Sequence, residues 1–139
     1  MKPVAYLQVA RTYRIAFRRC EEMRPLPSGK FEMPIMPGIV CAIFSIELAI
    51  KGLLAKQGIT TRVHDLRKLF DRLEASQKDE IVLACGVPEP NFSQQLDEIR
   101  DGYVRWRYFF EHEGLNLDLS FVRKLSDAAI SVADKAIAA

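Results

Sequence analysis

Apolar residues recur three and four apart along almost the whole chain, the spacing of a helix face rather than of a strand. Val4, Leu7, Ala10, Tyr13, Phe17 and Cys20, with arginines between them, predict a first helix from Val4 to about Arg24. Pro25-Leu26-Pro27-Ser28-Gly29 ends it and opens a loop that Pro34 and Pro37 extend. A second, almost wholly apolar helix is predicted from about Gly38 to Gln57, with Gly58 suited to its C-cap. A short connector, Ile59 to Val63, leads to a helix start at His64-Asp65-Leu66-Arg67-Lys68-Leu69-Phe70, where Asp65 can cap the first turn or offset its dipole. Ser76 with Lys78-Asp79-Glu80 opens a short helix that closes near Gly86-Val87-Pro88. Asn91 or Ser93 caps a long helix reaching about His112 before Gly114, and Asp118 or Ser120 starts an Ala-rich last helix. No period-2 segment, internal repeat or low-complexity block interrupts this pattern. The prediction is an all-α protein: an antiparallel up-down helical bundle of four long helices plus one or two short helices, in a single domain over residues 1–139.

Composition narrows the class. Apolar residues make up 49% and charged ones 27%, the balance of an ordinary soluble globular domain rather than a disordered chain. The formal net charge is +2, so no strong field advertises a polyelectrolyte or membrane partner. Charge is less even locally: Arg11, Arg14, Arg18, Arg19 and Arg24 make the first helix basic, as a solvated face or a phosphate contact. Cys20, Cys41 and Cys85 are odd in number and far apart, with no CxxC or Cys/His spacing, so no zinc site is expected. They read as small hydrophobes in a reducing compartment. After Met1-Lys2 the chain turns Arg-rich without a signal-peptide pattern, which points to the cytoplasm. The longest apolar run, Ile39 to Ala55, is interrupted by Glu47 and Lys51 and is shorter than a membrane span, so it reads as a buried central helix. Glycine-rich phosphate loops, nucleophile elbows and paired carboxylates are missing from the sequence, which sets aside the enzyme classes that depend on them.

The segment Gly102 to His112 is the densest in aromatic residues. At roughly 100° per residue, Leu96, Ile99, Tyr103, Trp106 and Phe110 fall on one face and form a core seam. Arg105 and His112 lie on nearly one azimuth away from that seam, with Tyr108 and Phe109 on the same outer half. Outward aromatics of this size call for a cover, with a second copy of the chain expected ahead of another helix of the same chain. On the second helix, Glu47 must be paired if buried, and Lys51 four residues on is its local partner, with Arg105 or Arg107 as further candidates. His64 reads as a capping or loop-to-helix contact, or as a second acid/base group.

Three segments together resemble the HEPN domain superfamily, the small helical bundles of prokaryotic toxin–antitoxin and defence systems. They are Ser45-Ile46-Glu47-Leu48-Ala49-Ile50-Lys51-Gly52-Leu53-Leu54, then His64-Asp65-Leu66-Arg67-Lys68-Leu69, then Arg105 to His112. Their order and helix placement match from the second helix to the last.

The resemblance implies two classes of function. The first is a non-catalytic partner or nucleotide/RNA-binding module, with Tyr108, Glu47 and Lys51 as candidate binding residues and often a small nucleotidyltransferase or an antitoxin beside it. The alternative is a metal-independent endoribonuclease acting as a homodimer through an Arg, four to six residues, then a His. Arg107 with His112 fits that spacing and Arg105 is the substitute. In such a pair the histidine moves a proton to or from the 2′-hydroxyl or the leaving oxygen, while the arginine holds the scissile phosphate in a forked contact. Neither class implies a cofactor, a metal or a membrane, and RNA is a candidate partner of both.

Overall fold

The computed structural model describes residues 1–107 and 117–138, with Trp106 and Arg107 as backbone only. The chain is helical almost throughout. α1 (Pro3–Cys20) leads through a two-residue-stranded hairpin, β1 (Arg24–Pro25) and β2 (Phe31–Glu32), into the central α2 (Ile35–Lys56). There follow α3 (Leu66–Asp71), α4 (Ala75–Cys85), α5 (Asn91–Ile99), α6 (Gly102–Arg107) and α7 (Leu119–Ile137).

α2 is the axis of the bundle. Fourteen of its residues are buried, including Ile43, Ile46, Ile50, Leu53 and Leu54. α1 runs antiparallel along it: Gly38 lies against Cys20 and Phe17, and Gly52 lies against Tyr6 and the Pro3 carbonyl. α7 packs on the same helix in the parallel sense. Ser45 and Ser126 share a buried hydroxyl contact of 2.7 Å, and Ile137 reaches Gly52. This is the alternation of direction that an up-down bundle requires. By length and composition α2 could cross a membrane, but 78% of its most apolar stretch is buried inside the bundle, the position of a core helix.

The basic residues of α1 are tied to α7. Arg14 and Arg18 reach Asp127 at 3.5 and 3.1 Å, Arg11 pairs with Asp134, and Arg123 of α7 returns to Glu21. The arginine run is therefore largely an interhelical seam, not a bare cationic face. Burial and the neighbouring Arg18 lower the Arg14 pKa, against the pull of Asp127. The three cysteines are free, and burial pushes the Cys85 thiol up to about 11, which keeps it protonated and inert.

Local chemistry sets the helix ends. α2 begins three residues before the predicted Gly38 because Pro37 falls in its first turn, where a missing N–H costs nothing. It closes in a Schellman motif: Gly58 takes φ +81°, its amide donates to Ala55 O at 3.0 Å, and the Ile59 amide donates to Leu54 O at 2.9 Å. Asp65 caps α3 by accepting from the Lys68 amide at 3.1 Å, and Asp118 caps α7 by accepting from Phe121 at 3.2 Å. The loop predicted after α1 closes into a hairpin because the Leu26 amide donates to Lys30 O at 2.8 Å and Gly29 supplies a positive φ. α1 itself stops at Cys20, short of the predicted Arg24.

The fourth long helix comes in two pieces. Sequence periodicity predicts continuity from Asn91 to His112, whereas α5 stops at Ile99 and α6 starts at Gly102. In a continuous helix the Arg100 carbonyl would accept from the Val104 amide. Here it accepts from the Leu66 amide at 2.7 Å, and the Val104 amide turns to Asp101 O instead. Gly102 then seats directly on α2, where a Cβ would lie 2.6 Å from Ile43 Cδ1. A long-range hydrogen bond and one close approach thus override the helical pattern. They swing α6 against the middle of α2.

Candidate functional site

The junction of α2, the Ile59–Asp65 connector and α6 gathers the polar and aromatic groups that the bundle core does not use. Glu47 on α2 is fully buried. Its carboxylate accepts from Lys51 Nζ at 3.1 Å, one helical turn on, with Lys51 itself only 8% exposed. It also meets His64 Nδ1, which lies 3.0 Å from Oε2 and 3.2 Å from Oε1. An ionised carboxylate only accepts, so the imidazole proton sits on Nδ1 and points inward. Nε2 is left as the outward nitrogen, on a side chain that is 48% exposed. A buried carboxylate that fixes the tautomer and plane of a half-exposed imidazole is a common way to orient a functional histidine.

A column of rings runs beside this pair. Tyr13 of α1 meets Phe44 edge-on at 4.7 Å, Phe44 stacks on Tyr103 of α6 at 4.6 Å and 20°, and Tyr103 lies 5.2 Å from the His64 ring at 33°. Three of these rings come from three different helices and the last from a connector. The column is therefore a product of the tertiary fold, and the α5–α6 break is what delivers Tyr103 to it.

Charge around the corner is heavily compensated. Arg100 donates from Nε to Asp65 at 3.0 Å, and Arg105 pairs with Asp101 at 3.7 Å. Burial pushes the Asp65 carboxyl up, but the Lys68 amide, the Arg100 hydrogen bond and charge, and the Arg67 amide outweigh it and hold it below the usual range. Arg100 is raised in turn, first by its hydrogen bond to Asp65.

The sequence candidates divide three ways. Glu47 and Lys51 are brought together as predicted. The link from Glu47 to an aromatic-helix arginine is not made by Arg105, whose guanidinium is held by Asp101, the residue just before its helix. Arg107 ends α6 with its side chain outside the description, and Tyr108 and His112 lie outside the described residues altogether. Of the capping and loop-to-helix roles expected of His64, the structure shows the second. Asp65 supplies the cap, while His64 turns back to Glu47. One signal pointed there: a buried carboxylate offers about four lone-pair sites, more than one lysine at i+4 satisfies. Phe44 and Tyr103 had no such signal, because both read simply as apolar positions on helix faces.

Among the described residues no group of three His, Cys, Asp or Glu side chains converges as a metal site would. A groove of about 680 Å³ lies elsewhere, across α3 to α5, walled by Arg67, Phe70, Val82, Leu83 and Val87 among others. It contains none of the groups gathered around Glu47. We place the site at Glu47 because a fully buried carboxylate, a half-exposed histidine and a column of rings converge there, whereas the polar groups of the groove, Arg67 with Asp71 and Ser93 with Glu89, pair locally along its walls.

A family model described as HEPN domain matches residues 41–138, which covers most of α2 and all of α3 to α7, and with them every residue of this corner except Tyr13. The chain belongs to the HEPN domain family. Membership supports a helical nucleotide- or RNA-related module in general. No curated protein and no solved structure matches the chain significantly. Within this HEPN chain, α1 and the hairpin lie outside the matched region, yet α1 supplies one face of the bundle and Tyr13 to the ring column.

Proposed function

We propose that this HEPN-family chain is a non-catalytic partner or nucleotide/RNA-binding module of a toxin–antitoxin or defence system. It holds its ligand at the corner formed by α2, the His64 connector and α6. The observation that carries this reading is His64 itself: anchored through Nδ1 on the buried Glu47, in tilted ring contact with Tyr103, and still half exposed. Rings fixed in this way present flat surface without further ordering, which is how proteins hold unpaired bases. The same reading takes the working form as a homodimer, with an antitoxin or a small nucleotidyltransferase as protein partner.

The alternative endoribonuclease reading is favoured by one feature. Arg105 and Arg107 follow Tyr103 on the same short helix, so an arginine–histidine pair ending at His112 would begin beside this corner. One experiment separates the two. Wild-type protein and the His112→Ala variant are incubated with several RNAs in chelator-containing buffer, and both cleavage and retention are followed. Retention of intact RNA by both proteins is the expected result. Cleavage by the wild type that His112→Ala abolishes would replace the binding module with the enzyme.

A further inference from the structure

Resting on the nucleotide/RNA-binding reading, we propose that the corner recognises an unpaired nucleobase by stacking on His64, with little contribution from phosphate. Among the described residues, the three cations nearest these groups are already matched: Lys51 to Glu47, Arg100 to Asp65, and Arg105 to Asp101. A phosphate arriving there would compete with a carboxylate at every one of them, and at Lys51 the carboxylate is fully buried with its ammonium. In the connector Arg62 is exposed and has no ion-pair partner among the described residues, which leaves room for one phosphate contact.

The rings point the other way. Tyr103 makes ring contacts with both Phe44 and His64, and His64, half exposed, is the member of the column that reaches solvent. Both Glu47 oxygens lie within hydrogen-bond distance of Nδ1, so the ring is held in plane as well as in tautomer. A base laid on the outer imidazole would extend the column by one ring. Nε2, the nitrogen turned away from Glu47, is free to meet a polar edge. The ligand class is therefore a nucleobase, free as a mononucleotide or carried in a single-stranded RNA.

The test is fluorescence anisotropy of a labelled five-nucleotide RNA against the full chain, repeated with its abasic counterpart and with a nucleoside monophosphate as competitor. Base–aromatic stacking of the usual strength predicts that His64→Ala weakens binding roughly 5- to 150-fold. His64→Phe, which keeps a flat ring, retains binding within about threefold by the same reasoning. His64→Gln, which keeps a hydrogen bond to Glu47 but has no ring, behaves like alanine. With one phosphate engaged, log Kd changes with log salt at a slope of about 0.7, and Arg62→Gln takes that slope towards zero. Competition by the monophosphate at equal base concentration identifies a mononucleotide site, and its failure identifies the RNA segment as ligand. Rescue by glutamine rather than phenylalanine would overturn stacking. So would equal binding of the abasic strand, or a steep salt slope indifferent to His64, although either would leave RNA binding itself standing. No binding of any of these ligands by folded wild-type protein would remove both this inference and the reading beneath it.

Discussion

Glu47 shows how one residue can be costly to the fold and central to the site. Removing a carboxylate from water costs several kcal/mol, and the bundle offsets that with Lys51 and His64. The arrangement is asymmetric: Lys51 depends on Glu47 alone among its described partners, whereas Glu47 keeps His64 if Lys51 is lost. Glu47→Gln therefore strands a nearly buried ammonium and should destabilise the protein by about 3–5 kcal/mol in urea unfolding. Replacing both members together, Glu47→Leu with Lys51→Met, should cost clearly less than the single change. Equal costs would mean that the pair is not coupled. The Glu47–Lys51 half of this cluster was legible in the sequence, because an i,i+4 acid–base pair in an apolar helix has no other local explanation. The His64 half was obscured by a neighbour with a stronger local claim, since Asp65 is a good N-cap and absorbs the reading of its whole segment.

At the scale of elements, the α5–α6 break matters most, and periodicity could not reveal it. Leu96, Ile99 and Tyr103 keep helical spacing straight through the interruption, so the pattern looks continuous. The interruption is written instead in a distant amide, Leu66, and in the absence of a side chain at Gly102. Gly102→Ala should force Ile43 aside and cost about 1–3 kcal/mol, the usual penalty for overpacking a closed core. Ile43→Val removes the Cδ1 that the new Cβ meets, so the double variant should recover part of the loss in a thermal or urea melt. A fully additive pair would show that the contact does not set the geometry. The start of α3 gives a second check. The Asp65 pKa is held down in the folded protein, so its contribution is present above the usual carboxylate range and fades as pH falls through its lowered folded value. Asp65→Asn keeps a competent cap but not the charge. Its stability deficit at pH 7 should shrink in urea melts as the pH falls below about 4.

The molecule as a whole was largely readable in advance, because long apolar faces leave a chain of this size few alternatives to a helical bundle. The same logic did not reach the α1–α7 seam. A row of arginines looks like a solvated or phosphate-binding face until Asp127 and Asp134 are brought opposite it by the fold. With those charges matched, the bundle has less free basic surface than its arginine content suggests, in keeping with its net charge of +2. Homodimerisation belongs to this scale too. Light scattering at micromolar concentration should give twice the 15.8 kDa chain mass, and a monomer mass would withdraw the dimer from the account.

The central claim is that unpaired nucleobases are held at the Glu47–His64–Tyr103 corner. Chemical-shift mapping of isotope-labelled protein with a short single-stranded RNA tests it most directly. The largest perturbations are expected on the His64 and Tyr103 ring signals and on the surrounding amides of α6 and the connector. Perturbations centred on the α3–α5 groove, or none in folded protein at saturating RNA, would contradict it.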